Sequence, residues 1–196
     1  MLNAKCDTHT GLPLPALLRT AQLVLARTGR PLDAVQGYVH LTLQNATLSA
    51  FAHALRTRAQ VAQVLAASPL CMGLLAPPPA PPEWHPAPVA VLDAAREAVR
   101  VVGEGEVASV AVAWSVRAAR VGDGGGRARS SGGEEGRMPV VVGMSNLREV
   151  HAAVEAWRWA RDEGRQEELA SKAALAQDVF ERTGTAGWTW TSGNWV

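Results

Sequence analysis

The amino-acid sequence predicts an α/β fold in which parallel strands are joined by helices. Two observations lead to this class: apolar residues recur at helical spacing in several segments, and short runs rich in Val and Ala lie between those segments. Strands that alternate with helices of about ten to fifteen residues form βαβ units, and such units build parallel sheets. Three or four units are present. Both an open doubly wound sheet and part of a closed barrel fit this pattern.

Helices are predicted wherever apolar residues repeat every three or four positions. In the first of them the repeat runs from Leu14 to Leu25, and Gly29 ends the segment. The predicted helices span residues 14–28, a stretch through 53–56 capped by Asn45 or Thr47, 88–102, 107–120, a stretch that begins after Ser145 or Asn146, and 166–182. One side of the fifth helix carries Leu147, Val150, Val154 and Trp157.

Strands are predicted from short runs rich in β-branched residues. Residues 33–43 are expected to begin as a strand and continue into a loop. Residues 60–67 could form a helix or a strand, and we favour a buried strand because Ser68 and Pro69 bound the segment. The clearest strand is 138–143, whose continuous apolar run is typical of a sheet that is covered on both faces.

Three stretches have no regular pattern. The proline-rich segment 70–88 cannot form an interior helix or a central strand, so it is either a surface linker or a loop that lines a pocket. Residues 121–137 are predicted to be a flexible, glycine-rich insertion, since they offer little apolar material to bury. The tail at 183–196 is rich in tryptophan and is expected to be irregular.

Composition excludes several classes of function. Lys and Arg number 19 against 18 Asp and Glu, a formal net charge of +1, which excludes a basic nucleic-acid surface. The longest apolar run, Val107 to Val116, has about half the length that a membrane span needs, and the first residues lack the core of a signal peptide. Cys6 and Cys71 are far apart in the sequence. We therefore expect a cytoplasmic protein with reduced thiols that binds neither membranes nor nucleic acid.

Residues 103–108, Gly-Glu-Gly-Glu-Val-Ala, fit the loose dinucleotide pattern G-x-G-x-x-A. That pattern needs a preceding strand, whereas the preceding segment here is helical, and the two glutamates would repel phosphate groups. A turn between two helices is therefore the preferred interpretation. The five histidines have no partner at metal-ligand spacing, so no metal site is predicted.

The segment from Val141 to Leu147 is more informative. A buried strand is expected to end at Gly143, and Ser145 and Asn146 then begin a helix. The carboxyl edge of a parallel sheet and the positive end of a helix would meet here, which favours an anion. An ordinary strand-to-helix turn with a Ser or Asn cap explains the same residues. The end of the strand at 60–67 has the same arrangement in weaker form.

Five segments share their order and spacing with one known family. They are residues 10–14, 37–45, 67–75, 82–87 and 142–151. The runs SPLCMGLL at 68–75 and PEWHPA at 82–87 are the most specific. Together they resemble the aldo-keto reductases, in particular the branch of L-galactose dehydrogenase and fungal D-arabinose 1-dehydrogenase. The resemblance covers nearly the whole chain, and it favours a pocket wall over a linker for the proline-rich segment.

The resemblance implies a partial TIM (β/α)8 barrel, namely the C-terminal half with its parallel strands and flanking helices. In this family the nicotinamide cofactor binds at the carboxyl ends of the strands. The chain resembles the family from about the fifth strand of such a barrel onward. Residues 1–196 are therefore expected to be the C-terminal part of an NADP-dependent oxidoreductase domain.

The family's proton-transfer residues fall outside the resembling part. In the family a tyrosine transfers the proton, a lysine paired with an aspartate lowers the pKa of that tyrosine, and a histidine orients the sugar. No residue of this chain matches one of these four positions, so no catalytic residue is predicted. Tyr38 is the only tyrosine in the sequence, and the lysines are Lys5 and Lys172.

By resemblance, the chain keeps the cofactor-binding half of the family's site. Thr10 and Gly11 match a pair at the nicotinamide carboxamide. Gly37 matches a residue under the nicotinamide ring, although Gln36 fits that position when the alignment moves by one residue. The residues matched to the pyrophosphate loop are Ser68, Pro69, Leu70 and Gly73. Those matched to the adenosine end are Gly143, Met144, Ser145, Asn146 and Arg148.

The cofactor implied is NAD or NADP, and NAD is favoured. NADP-preferring relatives often carry a lysine where this chain has Met144, which leaves Arg148 as the evident partner of a 2′-phosphate. Ala152 and Ala153 replace the Glu and Asn that many relatives carry near the adenine.

Two functions follow from the resemblance. The first is a partial aldo-keto reductase, related to enzymes that oxidise an aldose such as L-galactose or D-arabinose with NAD(P), but inactive alone. The second is a non-catalytic remnant that binds a nucleotide or a partner protein. A half-barrel would leave two open sheet edges, so we also expect self-association through them.

Overall fold

The computed structural model describes residues 7–11, 13–77, 81, 84–121 and 137–190. These residues form one four-stranded parallel sheet with flanking helices, which confirms the predicted α/β class. The strands lie in the order in which they follow along the chain, and each pairs in parallel with the next. They are β1 (Thr8–Gly11), β2 (Ala34–Tyr38), β3 (Gln63–Ala67) and β4 (Val140–Val141).

Each predicted helix is present, and the bounds of the first and last coincide with the predicted ones. None of the helices in the described part of the chain has the length and hydropathy that a membrane crossing requires. The predicted insertion at 121–137 falls almost entirely outside the described residues. The helices are α1 (Leu14–Thr28), α2 (Leu48–Ala59), α3 (Val89–Val102), α4 (Val107–Val121), α5 (Leu147–Arg161) and α6 (Gln166–Arg182).

Glycines end two of these helices through a conformation that other residues adopt only with strain. Gly29 has a φ of 70° and donates its N–H to the Leu25 carbonyl, which closes the last turn of α1. Gly103, with a φ of 107°, separates α3 from α4. The structure therefore confirms a turn between two helices here: residues 103–106 follow α3 and lead into α4, and no strand precedes them.

Two apolar clusters hold the fold together. In the first, the sheet core, α1 and α2 pack on one face of the sheet, and the end of α4 joins them. In the second, the helix core, α3, α4, α5 and α6 pack on one another and on the segment at 71–75. Leu17, Val35, Leu48 and Val64 represent the first cluster, and Leu74, Val91, Leu169 and Phe180 the second; all are 1% exposed or less.

The sheet core also fixes which way the strand residues face. A Cβ atom on Gly37 would lie 2.7 Å from Leu48 Cδ1, so Gly37 faces α2. Side chains alternate along a strand, so Gln36 and Tyr38 face the other side of the sheet. Thr10 pairs with Gln36 and therefore shares that side. Apart from Ala67, which is buried, the described strand residues on this side are half-buried or exposed, and we call it the open face.

The structure corrects the prediction for the last strand. Residues 138–143 were expected to form a strand covered on both faces, but only Val140 and Val141 pair with β3. Val141 is 41% exposed. In the described structure β4 is an edge strand, so it pairs with β3 alone, and only two of its residues take part in that pairing.

Helix α5 exposes its most apolar side, whereas an amphipathic surface helix usually buries that side. Its buried face holds Ala156, Trp159 and Ala160 and packs toward α4 and α6. Successive residues of a helix are about 100° apart around its axis, so the side with Leu147, Val154 and Trp157 lies roughly opposite this buried face. Its exposed members are Leu147 at 76%, Val154 at 42% and Trp157 at 48%. We call these three residues the α5 stripe.

The contact of Gly37 with α2 gives a test of the sheet core. Because an added Cβ would meet buried Leu48 at 2.7 Å, we expect Gly37→Ala to lower the free energy of unfolding by about 1–3 kcal/mol. Gly105→Ala is the matched control, since no atom lies within 4 Å of the added Cβ there. Urea unfolding measures both variants. Equal stability of the two would contradict the packing described here.

The α5 stripe and the open edge at β4 predict association at high protein concentration. We expect Leu147→Lys with Val154→Lys to shift the chain toward monomer, because two charges would have to be buried on association. Light scattering after gel filtration over a range of concentrations measures the mass. Leu175→Lys on α6, where the leucine is 48% exposed, is the control. A mass that stays unchanged in the double variant argues against the stripe as the contact.

Candidate functional site

A cavity of about 500 Å³ opens at the carboxyl ends of β2, β3 and β4. One wall is the loop that follows β3, another is the start of α5, and a third is the first part of α4. Most of the lining side chains are apolar. The lining residues are Tyr38, Ser68, Pro69, Leu70, Met72, Gly73, Ala76, Pro77, Trp84, Ala108, Ser109, Val112, Val142, Gly143, Met144, Arg148, Glu149, Ala152 and Ala153.

Parallel pairing of β3 with β4 brings the two predicted loops together. Ala67 is in register with Val141, and the Ser68 N–H donates to the Val141 carbonyl at 3.1 Å. The loops that leave these strands therefore start side by side. Seven of the residues predicted to bind the cofactor line the same cavity: Ser68, Pro69, Leu70, Gly73, Gly143, Met144 and Arg148.

The loop after β3 has an unusual backbone. Ser68, Cys71 and Met72 have φ values of 62°, 55° and 62°, a region that residues other than glycine rarely adopt. Hydrogen bonds hold the turn: the Cys71 N–H donates to the Ser68 carbonyl, and the Met72 N–H donates to Ser68 Oγ at 2.9 Å. Strained backbone of this kind clusters at functional sites, because the surrounding structure must compensate for its cost.

Buried groups behind this loop keep it in place. The Cys71 thiol is buried, and burial raises its pKa to about 12, so it stays protonated and acts as an apolar side chain. His85 Nε2 lies 3.0 Å from the Cys71 carbonyl, and the Ala87 N–H donates to His85 Nδ1 at 3.1 Å. These two bonds assign the proton to Nε2. His85 therefore links the proline-rich segment to the strained turn.

The proline-rich segment forms part of the cavity wall, as the resemblance implied. Pro77 and Trp84 line the cavity, while residues 78–80 and 82–83 lie outside the described structure. Trp84 is 59% exposed and stacks on His85 with ring centroids 6.0 Å apart. Its indole offers a flat surface at the mouth of the cavity.

The C-terminal segment reaches the same wall from behind. Trp190 packs against the His85 ring with centroids 5.6 Å apart. Gln44, in the buried loop after β2, fixes this segment, since its side-chain amide donates to the carbonyls of Thr185 and Trp188. The Gly187 N–H donates in turn to the Gln44 carbonyl. Residues 183–190 contain neither helix nor strand and are held by these bonds.

The start of α5 already contains a bound carboxylate. Asn146 is the N-cap, and its side-chain oxygen accepts a hydrogen bond from the Glu149 N–H at 3.1 Å. The Glu149 carboxylate folds back and accepts from the Ser145 N–H at 2.6 Å and from the Asn146 amide at 2.8 Å. The bond from the Ser145 N–H is the main cause that holds the pKa of Glu149 below its ordinary value. The predicted anion site is thus occupied by the chain's own anion.

Five of the predicted cofactor residues do not line the cavity. Thr10 and Gly11 end β1, the strand farthest from β4. Gly37 faces α2, so Gln36 is the residue that the open face presents at this point. Ser145 and Asn146 lie beside the cavity through their bonds to Glu149, which lines it.

Sequence reasoning missed several lining residues. Ala108, Ser109 and Val112 come from α4, a predicted helix to which no site residue was assigned. Glu149 was also missed, although a signal was available: an acid three residues after an Asn cap is the capping-box spacing. That spacing predicts that the acid competes for the groups at the helix start.

Arg148 and Glu149 are the charged residues among those that line the cavity, so the wall carries no net charge. Arg148 makes no ion pair within the described ranges. Lys172, the one lysine that the structure describes, pairs with Glu106 at 2.7 Å and is absent from the cavity wall. Tyr38 therefore has no lysine beside it among the described residues. No group of three metal-ligating side chains occurs among them either.

Comparison of the sequence with models of protein families found no match, and comparison with curated proteins found none.

The buried, neutral side chain of His85 predicts that the free energy of unfolding depends on pH. Burial, which outweighs the bond to the Cys71 carbonyl, lowers the pKa of His85 below its ordinary value of about 6.5. The unfolded chain then binds this proton more readily than the folded chain does, so stability falls as the pH drops below about 6.5. Burial lowers the pKa of His40 as well, with the same sign.

We expect His85→Asn to be less stable than the unsubstituted chain at pH 8 by about 1–3 kcal/mol, because buried partners lose their hydrogen bonds. Its stability should also fall less steeply between pH 8 and pH 5. Urea unfolding across this range measures both effects, with His151→Asn on the exposed side of α5 as the control. An equally steep fall in His85→Asn would show that His85 does not carry the effect.

Proposed function

We propose that the cavity binds a nicotinamide dinucleotide, NAD or NADP, and that this chain is the C-terminal, cofactor-binding part of an aldo-keto reductase barrel. The observation that carries the proposal is the meeting of two loops in one cavity. The loops after β3 and β4, which the resemblance assigns to the pyrophosphate and the adenosine end, line it together at the carboxyl edge of a parallel sheet. Ligands of α/β sheets bind at this edge.

The strand order supports an arc of a TIM barrel. Consecutive strands are neighbours throughout, and α1 and α2 lie on the same face of the sheet. A doubly wound sheet reverses its strand order and places helices on both faces. In an arc of a barrel, the helices lie outside and the other face points to the interior. The open face of this sheet corresponds to that interior.

The chemistry of the wall suits a dinucleotide in part. Apolar side chains and the exposed indole of Trp84 offer surfaces for a flat ring, and the Arg148 guanidinium offers a positive charge for a phosphate. A dinucleotide longer than the cavity could continue along the open face, past Tyr38 toward Gln36 and Thr10. Those residues lie toward the end that the resemblance assigns to nicotinamide.

Binding without turnover is the activity we propose for the chain alone. The family's reaction moves a hydride between the nicotinamide and the sugar carbon, and a tyrosine activated by a lysine moves the proton. Tyr38 lines the cavity, but Lys172 forms an ion pair with Glu106 and does not line the cavity. Loss of a proton-transfer group costs about 10²–10⁴ in rate. Oxidation of an aldose would need these groups from another segment or another chain.

A second candidate is a remnant that binds a partner protein. The α5 stripe and the open edge at β4 favour it, since both offer surfaces that a neighbouring strand and helix could cover. The two candidates differ in what stabilises the chain: a nucleotide in the first, a protein in the second.

The cofactor proposal predicts that NAD binds through Arg148. Isothermal titration calorimetry should detect NAD binding, and Arg148→Ala should weaken it about tenfold, the effect of losing one charge-assisted bond to phosphate. Arg158→Ala is the matched control, because Arg158 lies on the same helix, is exposed and pairs with Glu155 away from the cavity. It should leave the affinity unchanged.

Absence of NAD binding to the unsubstituted chain, in calorimetry and as a shift in melting temperature, would refute the cofactor proposal. Turnover is tested separately by following NADH formation with L-galactose or D-arabinose. We expect none from this chain alone. Measurable oxidation would overturn the view that the chain binds the cofactor without catalysing the reaction.

A further inference from the structure

We infer that Glu149 determines which phosphate groups this cavity accepts: its carboxylate takes the hydrogen-bond donors of Ser145 and of the Asn146 side chain, and its charge disfavours a phosphate monoester beside them. The inference rests on the proposed function and deepens it. If the cavity binds a nicotinamide dinucleotide, Glu149 makes it select NAD, whose ribose hydroxyls are free, over NADP, whose 2′-position carries a phosphate.

Two residues before α5, Ser145 and Asn146, already donate to this carboxylate. Glu149 Oε2 accepts from the Ser145 N–H at 2.6 Å and from the Ser145 hydroxyl at 3.1 Å. Glu149 Oε1 accepts from the Asn146 amide at 2.8 Å and lies 3.2 Å from Ser145 Oγ. Every polar donor that Ser145 and the Asn146 side chain could offer is therefore used within the chain.

A phosphate monoester would have to displace this carboxylate and then remain close to it. Glu149 belongs to the first turn of α5 and lines the cavity, so a displaced side chain stays at the mouth. A monoester carries about −1.5 to −2 charges near neutral pH. Two like charges this close repel each other, and the repulsion is stronger where water is partly excluded.

Positive charge at the mouth does not offset this repulsion. Arg148 is the one cation that lines the cavity, so the 2′-phosphate of NADP would have to share its single positive charge with the pyrophosphate that NAD and NADP have in common. A third phosphate would add negative charge next to Glu149 with no further cation among the lining residues.

A ribose hydroxyl faces the opposite situation. Ionised carboxylates accept hydrogen bonds and hydroxyl groups donate them, so a free 2′-hydroxyl can share the Glu149 oxygens without displacing them. The same acidic group thus disfavours one ligand and favours the other.

The test compares Glu149→Gln with Glu155→Gln on the same helix. Gln at 149 can still accept from the Ser145 N–H, so α5 keeps its cap while it loses the charge. Glu155 is exposed, pairs with Arg158 and does not line the cavity. Calorimetry at one ionic strength gives the affinities of each protein for NAD, NADP and inorganic phosphate.

We expect the unsubstituted chain to bind NAD more tightly than NADP. Glu149→Gln should raise the ratio of NADP to NAD affinity about tenfold, and Glu155→Gln should leave it unchanged. The ratio is measured on one protein at a time, so a general loss of stability does not move it. Glu149→Ala, which removes the acceptor entirely, should shift the ratio in the same direction.

Inorganic phosphate separates the inference from the proposed function. If no protein binds either dinucleotide but Glu149→Gln gains affinity for inorganic phosphate, the cofactor proposal fails and the role of Glu149 in disfavouring a phosphate monoester stands. If dinucleotides bind with the same ratio in all variants, the cofactor proposal stands and the inference is wrong. No gain for inorganic phosphate in Glu149→Gln or Glu149→Ala also overturns the inference.

Discussion

The site depends on a short stretch of parallel pairing, in which two residues of β4 lie in register with the end of β3. The bond from the Ser68 N–H to the Val141 carbonyl is the last of that ladder, and both cavity loops begin immediately after it. Because backbone bonds in a sheet fix the direction in which each strand leaves, this one register sets the relative position of Ser68 and Gly143. A slip of one residue would turn every β4 side chain to the other face and would separate the two loops.

The strained turn after β3 needs support that the strand alone does not give. Three left-handed residues within five positions cost free energy, so buried contacts must hold them. His85 Nε2 donates a hydrogen bond to the Cys71 carbonyl, and Trp190 in the C-terminal segment packs against the His85 ring. Gln44 anchors that segment to the loop after β2. The wall of the cavity is thus assembled from parts of the chain that lie far apart in sequence.

Local sequence patterns predicted which helices and strands form, but they did not predict the length of β4 or the full set of residues that line the cavity. The bounds of α1 were predictable because its apolar spacing stops at Gly29, which the helix end requires. The length of β4 was not, since a continuous apolar run cannot show that only one neighbour pairs with it. The alternation of Gln36 and Gly37 was visible, but which of them faces the helices depends on Leu48, a contact between separate elements. Glu149 shows the same limit: its spacing from Asn146 predicts a cap, and only the atoms show that its carboxylate takes the donors of Ser145 and of the Asn146 side chain.

The two ends of the site, the cavity at α5 and the open face at Gln36 and Thr10, differ in how much of the described chain surrounds them. The end at α5 is lined by the loops after β3 and β4, by α4 and by the proline-rich wall, and the Glu149 carboxylate there is hydrogen-bonded within the chain. The other end, at Gln36 and Thr10, lies on an open face that nothing in the described structure covers. Under the proposed function, nucleotide binding would draw on the end at α5, because the apolar wall and the Arg148 charge are there. Hydride transfer would need the open end covered, since the reacting carbon must be oriented and water excluded. The proposed binding and the family's chemistry would therefore depend on different parts of the site.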